Sequence, residues 1–379
     1  MNSKKAQISL VAIFLAFTFI LTGAFFIIPK KDYSSQEKRY LAKFPEISLE
    51  NFLSGKFTSS LEGGENGGYI PDHFPFRSFF VGLNSYANLV IGSTASNGYY
   101  YADEGYIITK PPKYDSAAQN LRLINDFAAS FDEVNLMVVP SPGYILEDKL
   151  PLNRTDYPDK EVYSTLSREK ADNVNLINLE NAFKSENEKG TQLYYRTDHH
   201  WTSAGAYLGY TELCGDMGLS PVKADSLTVS KYENFYGTTY SSSGYFLTAP
   251  DTLEIWENEE LNRVKVNIIE GKEKKTFDSM YFPAHLEEDD MYPVFLDGNH
   301  ALTEIENPAS ESDRSLVIVK DSYAHCMAPF LVNNYQKVVM VDLRYYKDSV
   351  SKLCDENTDI LFLYGMNNFT TDKNLAFLQ

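Results

Sequence analysis

The run Leu316-Val317-Ile318-Val319-Lys320-Asp321-Ser322-Tyr323 decides the fold class of this chain. Its first four residues are apolar and mostly β-branched, which is typical of a strand buried on both faces of a sheet. Asp321 and Ser322 follow at once, and both residue types are favoured at the start of a helix. The run therefore predicts a strand, a tight turn and a helix, as in a parallel α/β sheet.

The same alternation of strand and helix patterns extends to both sides of this run. Continuous apolar segments predict four further strands, at residues 134–140, 174–179, 338–341 and 360–364. Helical patterns lie between them, at residues 116–130, 203–217 and 349–353. Because such strands need cover on both faces, we predict a parallel α/β sheet with helices on either side of it.

The N-terminal segment is long and apolar. Residues 8–28 form a run of 21 residues without a charge, preceded by Lys4 and Lys5. A helix of that length spans about 31 Å, enough to cross a bilayer core. The apolar stretch of a cleaved secretory signal is shorter, about 7–15 residues, so we favour an uncleaved single-pass anchor. The positive charges on the N-terminal side predict that the rest of the chain is extracellular, although Lys30 and Lys31 weaken the asymmetry.

Composition excludes several classes of protein. The chain has 34 Lys and Arg against 52 Asp and Glu, a formal net charge of −18, which argues against a nucleic-acid partner. With 43% hydrophobic residues the chain is not disordered overall. Its cysteines, Cys214, Cys326 and Cys354, are odd in number and lack CxxC spacing, which excludes a disulfide scaffold and a thiolate zinc site.

Three segments are predicted along the chain. Residues 1–31 hold the anchor or signal, and the polar residues 32–68 form a juxtamembrane linker. Residues 69–379 form the α/β domain, in which residues 221–308 are predicted to be a strand-rich insertion. Within that insertion, the segments 253–256 and 264–269 are predicted to pair as a hairpin.

Ser322 is the first candidate for chemistry. A serine at the carboxyl end of a strand is exposed at the edge of an α/β sheet, where such folds bind their ligands. Its own N–H and the following helix N-terminus can stabilise an anion there. The alternative is an ordinary helix cap, since Asp and Ser are common caps.

The segment Thr197-Asp198-His199-His200-Trp201 is the second candidate. Asp198 and His200 project to the same side of an extended or turning segment, so the carboxylate can orient the imidazole and fix its tautomer. A structural histidine and a metal site are the alternatives. The other four histidines show no ligand spacing, so we predict no metal.

A third candidate follows the last predicted strand, in Gly365-Met366-Asn367-Asn368. The amide of Asn367 can donate to a developing oxyanion, although Gly and Asn are also plain turn formers. Together the three places supply the parts of acyl transfer. Ser322 is the candidate nucleophile, His200 the base and Asp198 the residue that orients it.

At these residues the chain resembles the SGNH hydrolase superfamily, and more closely its circularly permuted branch. That branch contains the DHHW-motif surface proteins and the alginate O-acetylation proteins. The segment 197–202 is similar to the DHHW motif, 320–323 to the Gly-Asp-Ser block, and 365–368 to the Gly-x-Asn-Asp block. The Asp/His segment precedes the serine, which is the permuted order. The segments 72–77, 235–238 and 297–302 also resemble the DHHW group.

Three residues depart from the superfamily pattern. Lys320 stands in place of glycine in Gly-Asp-Ser, and Asn368 in place of aspartate in the Asn-Asp pair. One residue rather than two separates Asp198 from His200, which is closer to the acetyl-transfer branch than to the esterases.

The resemblance implies a flavodoxin-like, three-layer α/β fold. It also implies an exported, membrane-tethered bacterial enzyme that O-acetylates a cell-surface polysaccharide through a Ser–His–Asp triad, without a cofactor. It implies an oxyanion hole made by Asn367 and the Ser322 N–H, and an integral-membrane acyl donor as partner. Two alternatives stay open: a carbohydrate esterase with the same triad, and a non-catalytic glycan-binding or scaffold protein at the cell surface. Further candidate site residues are His199, as the base in place of His200, and Trp201, Tyr323 and Arg344.

Overall fold

The structure, a computed structural model, describes residues 3–34, 36–63, 67–113, 116–288 and 290–378 of the 379-residue chain. The chain divides into two compact units. The first unit contains residues 1–92 together with 244–246, and the second contains residues 93–243 and 247–379. The single-domain status of residues 69–379 stays a prediction.

The first unit is helical apart from one short pair of strands. The part of its helix α1 over Lys4–Ile27 has the length and composition needed to cross a membrane, as predicted from the sequence. Much of the predicted linker also carries regular structure, while residues 64–66 lie outside the described part of the chain. The elements of the first unit are α1 Ser3–Ile27, β1 Tyr33–Ser34, β2 Arg39–Tyr40, α2 Leu49–Leu53, α3 Lys56–Glu62, α4 Tyr69–Asp72 and α5 Arg77–Val90.

The second unit alternates strands and helices. Its strands are β3 Ala95–Ser96, β4 Tyr99–Tyr101, β5 Ile107–Thr109, β6 Val134–Val139, β7 Val174–Asn178, β8 Thr228–Phe235, β9 Asp251–Glu257, β10 Lys265–Glu270, β11 Glu273–Phe277, β12 Leu302–Glu306, β13 Ser315–Lys320, β14 Lys337–Val341 and β15 Thr358–Gly365. Its α-helices are α6 Ala117–Ala128, α7 Pro142–Ile145, α8 Asp159–Glu169, α9 Glu180–Glu188, α10 Ser203–Met217, α11 Thr238–Ser243, α12 Tyr323–Leu331 and α13 Met366–Thr371. Short 3₁₀ helices cover Asp103–Gly105, Glu147–Lys149, Ala224–Ser226, Glu259–Arg263, Pro283–Glu287, Tyr292–Val294, Val350–Leu353 and Asn374–Phe377.

One eight-stranded sheet forms the centre of the second unit, in the order β11-β10-β12-β14-β13-β15-β6-β7. The five strands from β14 to β7 are parallel, and Val317 on β13 pairs with Val339 on β14 and with Ile360 on β15. Strands β12, β10 and β11 extend this sheet in antiparallel fashion. The predicted α/β architecture with a parallel sheet is confirmed.

The core lies on both faces of this sheet because successive strand side chains alternate between them. Ile318 and Leu361 point to the face covered by α9, α10 and α12. Val317 and Phe362 point to the opposite face, covered by α6, α8 and α13. Since both faces are covered, the strands are apolar at nearly every position, which is the pattern seen in the sequence.

The predicted hairpin between 253–256 and 264–269 is wrong. Strand β9 pairs with β8, while β10 lies between β11 and β12 in the central sheet. The predicted insertion at 221–308 thus contributes three strands to that sheet. Strand β10 is buried at consecutive positions, Val266, Asn267 and Ile268, and this suits a strand that has neighbours on both edges.

The parallel strands bring three loops to one edge of the sheet. Strand β13 ends before Asp321 and Ser322, β15 ends before Asn367, and β6 ends before Ser141. The carboxyl ends of parallel strands meet at the same edge, and open α/β sheets bind ligands there. These loops therefore define the region in which to seek a functional site.

Candidate active site

Ser322 lies in the turn between β13 and α12, with its side chain partly exposed. The turn is held by Asp321, whose Oδ1 accepts the Tyr323 N–H at 2.9 Å. The other oxygen, Oδ2, accepts the Gly365 N–H and the Asn368 side-chain amide, both at 2.8 Å. Asp321 is itself buried, so it ties the Ser322 turn to the end of β15 and fixes the position of the serine.

Asn368 explains one departure from the superfamily pattern. Its side-chain amide donates to the buried carboxylate of Asp321. An aspartate at position 368 would place a second carboxylate against the first, and like charges at such short range repel. The asparagine is therefore the residue that suits this turn.

Asp198 receives hydrogen bonds from two residues. Its Oδ1 accepts the His200 backbone N–H at 2.9 Å and contacts His200 Nδ1 at 2.5 Å. Its Oδ2 accepts the Thr238 N–H at 2.7 Å and the Thr238 hydroxyl at 3.0 Å. Burial raises the pKa of Asp198, but the His200 and His199 rings and these hydrogen bonds outweigh burial and hold that pKa well below its ordinary value.

His200 joins Asp198 to Ser322. Its Nε2 lies 2.7 Å from Ser322 Oγ, across 122 positions of sequence. Because the ionised Asp198 can only accept, His200 Nδ1 carries the proton and Nε2 is left as the acceptor for the serine hydroxyl. Ser322, His200 and Asp198 are thus in continuous hydrogen-bond contact.

Aromatic residues fix the His200 ring. The Tyr292 ring stacks on it at 3.9 Å between centroids and 7° between planes. The Tyr292 hydroxyl also donates to the Ser322 carbonyl at 3.3 Å. Trp201 is fully buried and donates from Nε1 to the Tyr323 carbonyl at 3.0 Å, while the Tyr323 hydroxyl donates to the His199 carbonyl. Trp201 and Tyr323 therefore join the two site segments through backbone groups.

His199 lies beside the triad and does not contact Ser322. Its Nδ1 is 2.7 Å from Thr238 Oγ1, and its ring centroid is 3.8 Å from that of His200. Since the Thr238 hydroxyl donates to Asp198, it accepts from a protonated His199 Nδ1. Burial by the surrounding protein lowers the pKa of His199 to about 4, although 34% of the side chain is exposed. The His200 ring lowers this pKa further, and Asp198 opposes the shift. His199 is therefore neutral at neutral pH.

The predicted oxyanion donors lie at the same edge of the sheet. No hydrogen bond from the Ser322 N–H is found among the described residues, so this donor is available at the start of α12. Asn367 lines a small cavity together with Asp198, His199 and Thr239. Its side-chain oxygen accepts the Ser141 hydroxyl at 3.4 Å. Asn367 thus borders the triad from the neighbouring strand end.

Arg344 is placed apart from the triad contacts. Its guanidinium pairs with the buried Asp342, at 2.5 Å from Nη2 to Oδ2, and also donates to Asn299. Asp342 in turn contacts the buried Lys320 at 3.4 Å. Lys320 Nζ lies 2.6 Å from His325 Nε2, so the lysine that departs from Gly-Asp-Ser belongs to a buried polar cluster. Burial lowers the pKa of Lys320 to about 8, with Asp342 opposing that shift.

Two residues of the site carry no strong sequence signal by themselves. Thr238 supports both Asp198 and His199, and its segment 235–238 was noticed only through the family resemblance. The preceding Gly237 leaves room for Asp198, because a Cβ at that position would lie 2.2 Å from the Asp198 Cβ. Tyr292 comes from a 3₁₀ turn in the loop-rich part of the chain, and no sequence pattern pointed to it.

Asp198, His199 and His200 could in principle hold a metal ion, since their ligand atoms lie within 4.8 Å of one another. Both nitrogens of His200 are already engaged, one with Asp198 and one with Ser322. Metal ligation by His200 would break one of these contacts. The donor set therefore suits a hydrogen-bonded triad better than a metal centre.

Residues 155–341 match the family model described as DHHW protein, and this span includes Asp198, His200 and Ser322. This region is similar to the proteins of the DHHW family. The predicted resemblance is therefore confirmed. No curated protein sequence matches the chain.

Solved structures share the fold of about three quarters of the chain. A DHHW family protein from Eubacterium siraeum aligns with a TM-score of 0.63 and 20% identity, over 74% of this chain and 95% of its own. PatB1 from Bacillus cereus, solved with a sulfonyl adduct, aligns with a TM-score of 0.61 and 21% identity, over 73% of this chain and 99% of its own. At these identities the likeness concerns the fold alone.

Proposed function

We propose that this chain is a serine-dependent acyl-transfer enzyme with Ser322 as nucleophile, His200 as general base and Asp198 as the residue that orients the base. The observation that carries the proposal is the continuous contact from Ser322 Oγ to His200 Nε2 at 2.7 Å and from His200 Nδ1 to Asp198 Oδ1 at 2.5 Å. Nucleophile and base need this hydrogen-bond reach. The Asp/His segment precedes the serine in the chain, so the proposal includes the circularly permuted order of an SGNH-like site.

In the first half of the reaction, Ser322 Oγ attacks the acyl carbon of a donor ester while its proton passes to His200 Nε2. The ionised Asp198 stabilises the resulting imidazolium. The Ser322 N–H and the Asn367 amide donate to the oxyanion. When the intermediate collapses, the leaving alcohol takes the proton from His200, and the acyl group stays on Ser322 as an ester.

In the second half, a hydroxyl acceptor loses its proton to His200 and attacks the acyl-serine carbon. The bond to Ser322 Oγ breaks, and Ser322 recovers its proton from His200. We propose that the acceptor is a cell-surface polysaccharide and the group acetyl, with α1 as a membrane tether and an integral-membrane protein as acyl donor. The support for this finer assignment is the DHHW family match together with the membrane-length helix.

The alternative acceptor is water, which would make the same site a carbohydrate esterase. The two differ only in whether the acyl-serine meets a glycan hydroxyl or a water molecule. The 2.7 Å contact between Ser322 and His200 gives no support to a non-catalytic scaffold.

The test uses the full chain with para-nitrophenyl acetate as donor. We expect Ser322→Ala to lose at least about 10²-fold in acyl release, because no other group accepts the acyl moiety. The matched control is Ser351→Ala, an exposed serine in the 3₁₀ helix Val350–Leu353, which must keep wild-type activity. Equal release by wild type and Ser322→Ala would overturn the proposal.

The acceptor is tested separately, by supplying cell-wall polysaccharide and following acetyl-glycan and free acetate together. Acetyl-glycan formation that depends on Ser322 supports a transferase. Free acetate alone supports the esterase. A sulfonyl fluoride, chosen because PatB1 was solved with a sulfonyl adduct, provides an activity-independent probe. We expect a single sulfonyl mass increment on the Ser322 peptide, absent from Ser322→Ala.

A further inference from the structure

The helix α5 in the first unit is apolar on its exposed side. Phe79, Leu83 and Val90 are 64%, 52% and 86% exposed, and Ala87 between them is exposed as well. Spacings of four, four and three residues place these side chains on one face of a helix. Gly82 and Ser85 are the residues that this helix buries. This arrangement is the reverse of that in a helix on the surface of a soluble protein, because the larger apolar side chains face outward.

Exposed apolar residues are concentrated in this unit. Fourteen large apolar residues between positions 33 and 91 are exposed. The described part of the second unit is more than four times longer than this segment and has five. Such a concentration of exposed apolar side chains is typical of a protein or membrane contact. The fourteen are Tyr33, Tyr40, Phe44, Ile47, Leu49, Phe52, Leu53, Ile70, Phe74, Phe76, Phe79, Leu83, Val90 and Ile91.

Contacts between this segment and α1 indicate whether a protein or the membrane covers the exposed apolar residues. The Phe80 ring packs edge-on against Phe17 at 6.4 Å, and the Tyr69 ring packs against Phe25 at 6.2 Å. Phe17 lies ten residues before Ile27, a helical distance of about 15 Å. The hydrocarbon core is about 30 Å thick, so a spanning α1 places Phe17 near its middle. Lipid that surrounds α1 at that depth also reaches the segment 69–80.

The charges of this segment are neutralised within the unit. Between residues 69 and 91 the ionisable groups of Asp, His and Arg type are Asp72, His73 and Arg77. Asp72 is buried and forms two hydrogen bonds with Arg39, and Arg77 pairs with Glu37. His73 Nε2 bonds the Ala42 carbonyl at 2.9 Å. Paired charges are the form in which such groups are tolerated next to lipid.

We propose that the apolar face of α5, defined by Phe79, Leu83 and Val90 together with the flanking Phe76 and Ile91, is embedded in the outer leaflet of the lipid bilayer beside α1. The partner is the acyl-chain region of phospholipids, which needs no specific polar recognition. The first unit is then held by the membrane through two elements, a spanning helix and a second helix embedded in the outer leaflet. This inference rests on the proposed membrane tether α1, but it does not depend on the proposed catalysis.

The experiment reconstitutes the full chain in phospholipid nanodiscs that contain a lipid with a diazirine on its acyl chain. After irradiation, labelled peptides are mapped by mass spectrometry. We expect label on α1 and on peptides that cover residues 76–91. Leu152 and Tyr345 in the second unit, 96% and 53% exposed, are internal controls. Their peptides must stay unlabelled.

Paired variants separate lipid contact from general damage. Phe79→Leu keeps an apolar side chain and must keep the label, whereas Phe79→Asp with Leu83→Asp must lose at least half of the label on 76–91 while α1 stays labelled. Label confined to α1 in the wild type overturns the inference. Burial of this face by another protein in place of lipid, or a mature chain that lacks residues 1–28, overturns it as well. Ser322→Ala must label like the wild type, so this result is independent of catalysis.

Discussion

Asp198 binds His200 twice through one oxygen, accepting the backbone N–H at 2.9 Å and contacting the ring Nδ1 at 2.5 Å. A carboxylate that accepts the N–H two residues ahead is a common local turn of aspartate. In this chain that turn also brings the imidazole onto the same oxygen. The spacing of one residue between Asp198 and His200 is therefore sufficient to orient the ring, although it departs from the esterase pattern.

Asp198→Asn tests the role of this carboxylate. The amide is similar in size, but it cannot stabilise an imidazolium and it can present an N–H to His200, which favours the wrong tautomer. We expect kcat/KM for an activated acetyl ester to fall by roughly 10²–10⁴-fold. The thermal midpoint serves as control for folding. Activity within about threefold of the wild type in a folded Asp198→Asn variant would contradict the proposed role.

Tyr292 tests whether the stacked ring positions His200. Tyr292→Phe keeps the stacking at 3.9 Å and removes only the long hydrogen bond to the Ser322 carbonyl. We expect this variant to stay within about threefold of the wild type, because a weak hydrogen bond contributes little. Tyr292→Ala frees the ring and should lower kcat by roughly 10–100-fold, as expected when a catalytic group loses its orientation.

The comparison of kcat with KM distinguishes positioning from substrate binding. A loss in kcat with little change in KM supports a positioning role for Tyr292. If Tyr292→Phe and Tyr292→Ala lose activity equally, the hydroxyl rather than the ring would be the functional group.

The sequence predicted those parts of the site that depend on local pattern. The β-branched run before Lys320 specifies a buried strand, and Asp321 with Ser322 specifies the turn after it. Because the strands are parallel, their carboxyl ends had to meet, which brought Ser322 and Asn367 to one edge. The Asp198–His200 pair was likewise visible in the sequence as a short motif.

The remaining parts depend on long-range packing. Tyr292 reaches His200 from an irregular loop, and loop positions are set by the surface on which they pack rather than by a periodic pattern. Strand β10 has the apolar pattern of many strands, and that pattern does not reveal its neighbours in the sheet. Thr238 became recognisable only through a family resemblance, since a single threonine is uninformative.

The close packing of Gly237 against Asp198 predicts that a side chain at this position lowers folding stability. A Cβ at this position would lie 2.2 Å from the Asp198 Cβ and 2.3 Å from its Oδ2, so Gly237→Ala must displace the carboxylate or the backbone. We expect a loss of about 1–3 kcal/mol in the free energy of unfolding, as for other overpacked sites. We also expect a loss of activity, because Asp198 moves.

The matched control is Gly215→Ala in α10, where nothing lies within 4 Å of the added Cβ. Alanine is the better helix former, so this change should stabilise by about 0.5–1 kcal/mol. Urea unfolding of the two variants gives both values. Equal stability of Gly237→Ala and the wild type would show that the site tolerates the added methyl group.

The lowered pKa of His199 predicts that folding stability falls in acid. The pKa of His199 is lowered from 6.5 to about 4 by its surroundings, so between these values the unfolded chain binds a proton that the folded chain does not. The stability contributed by this group is therefore present above about pH 6.5 and is lost as the pH falls toward 4. Asp198, whose pKa is also depressed, acts in the same direction below about pH 3.8.

We expect the thermal midpoint to fall between pH 7 and pH 4.5, and the fall to be smaller in His199→Gln, which has no titrating ring. Because Asp198 keeps its contacts with His200 and Thr238 in that variant, the difference between the two curves reports on His199. Parallel curves for the two proteins would show that the His199 ring is not held neutral by the fold.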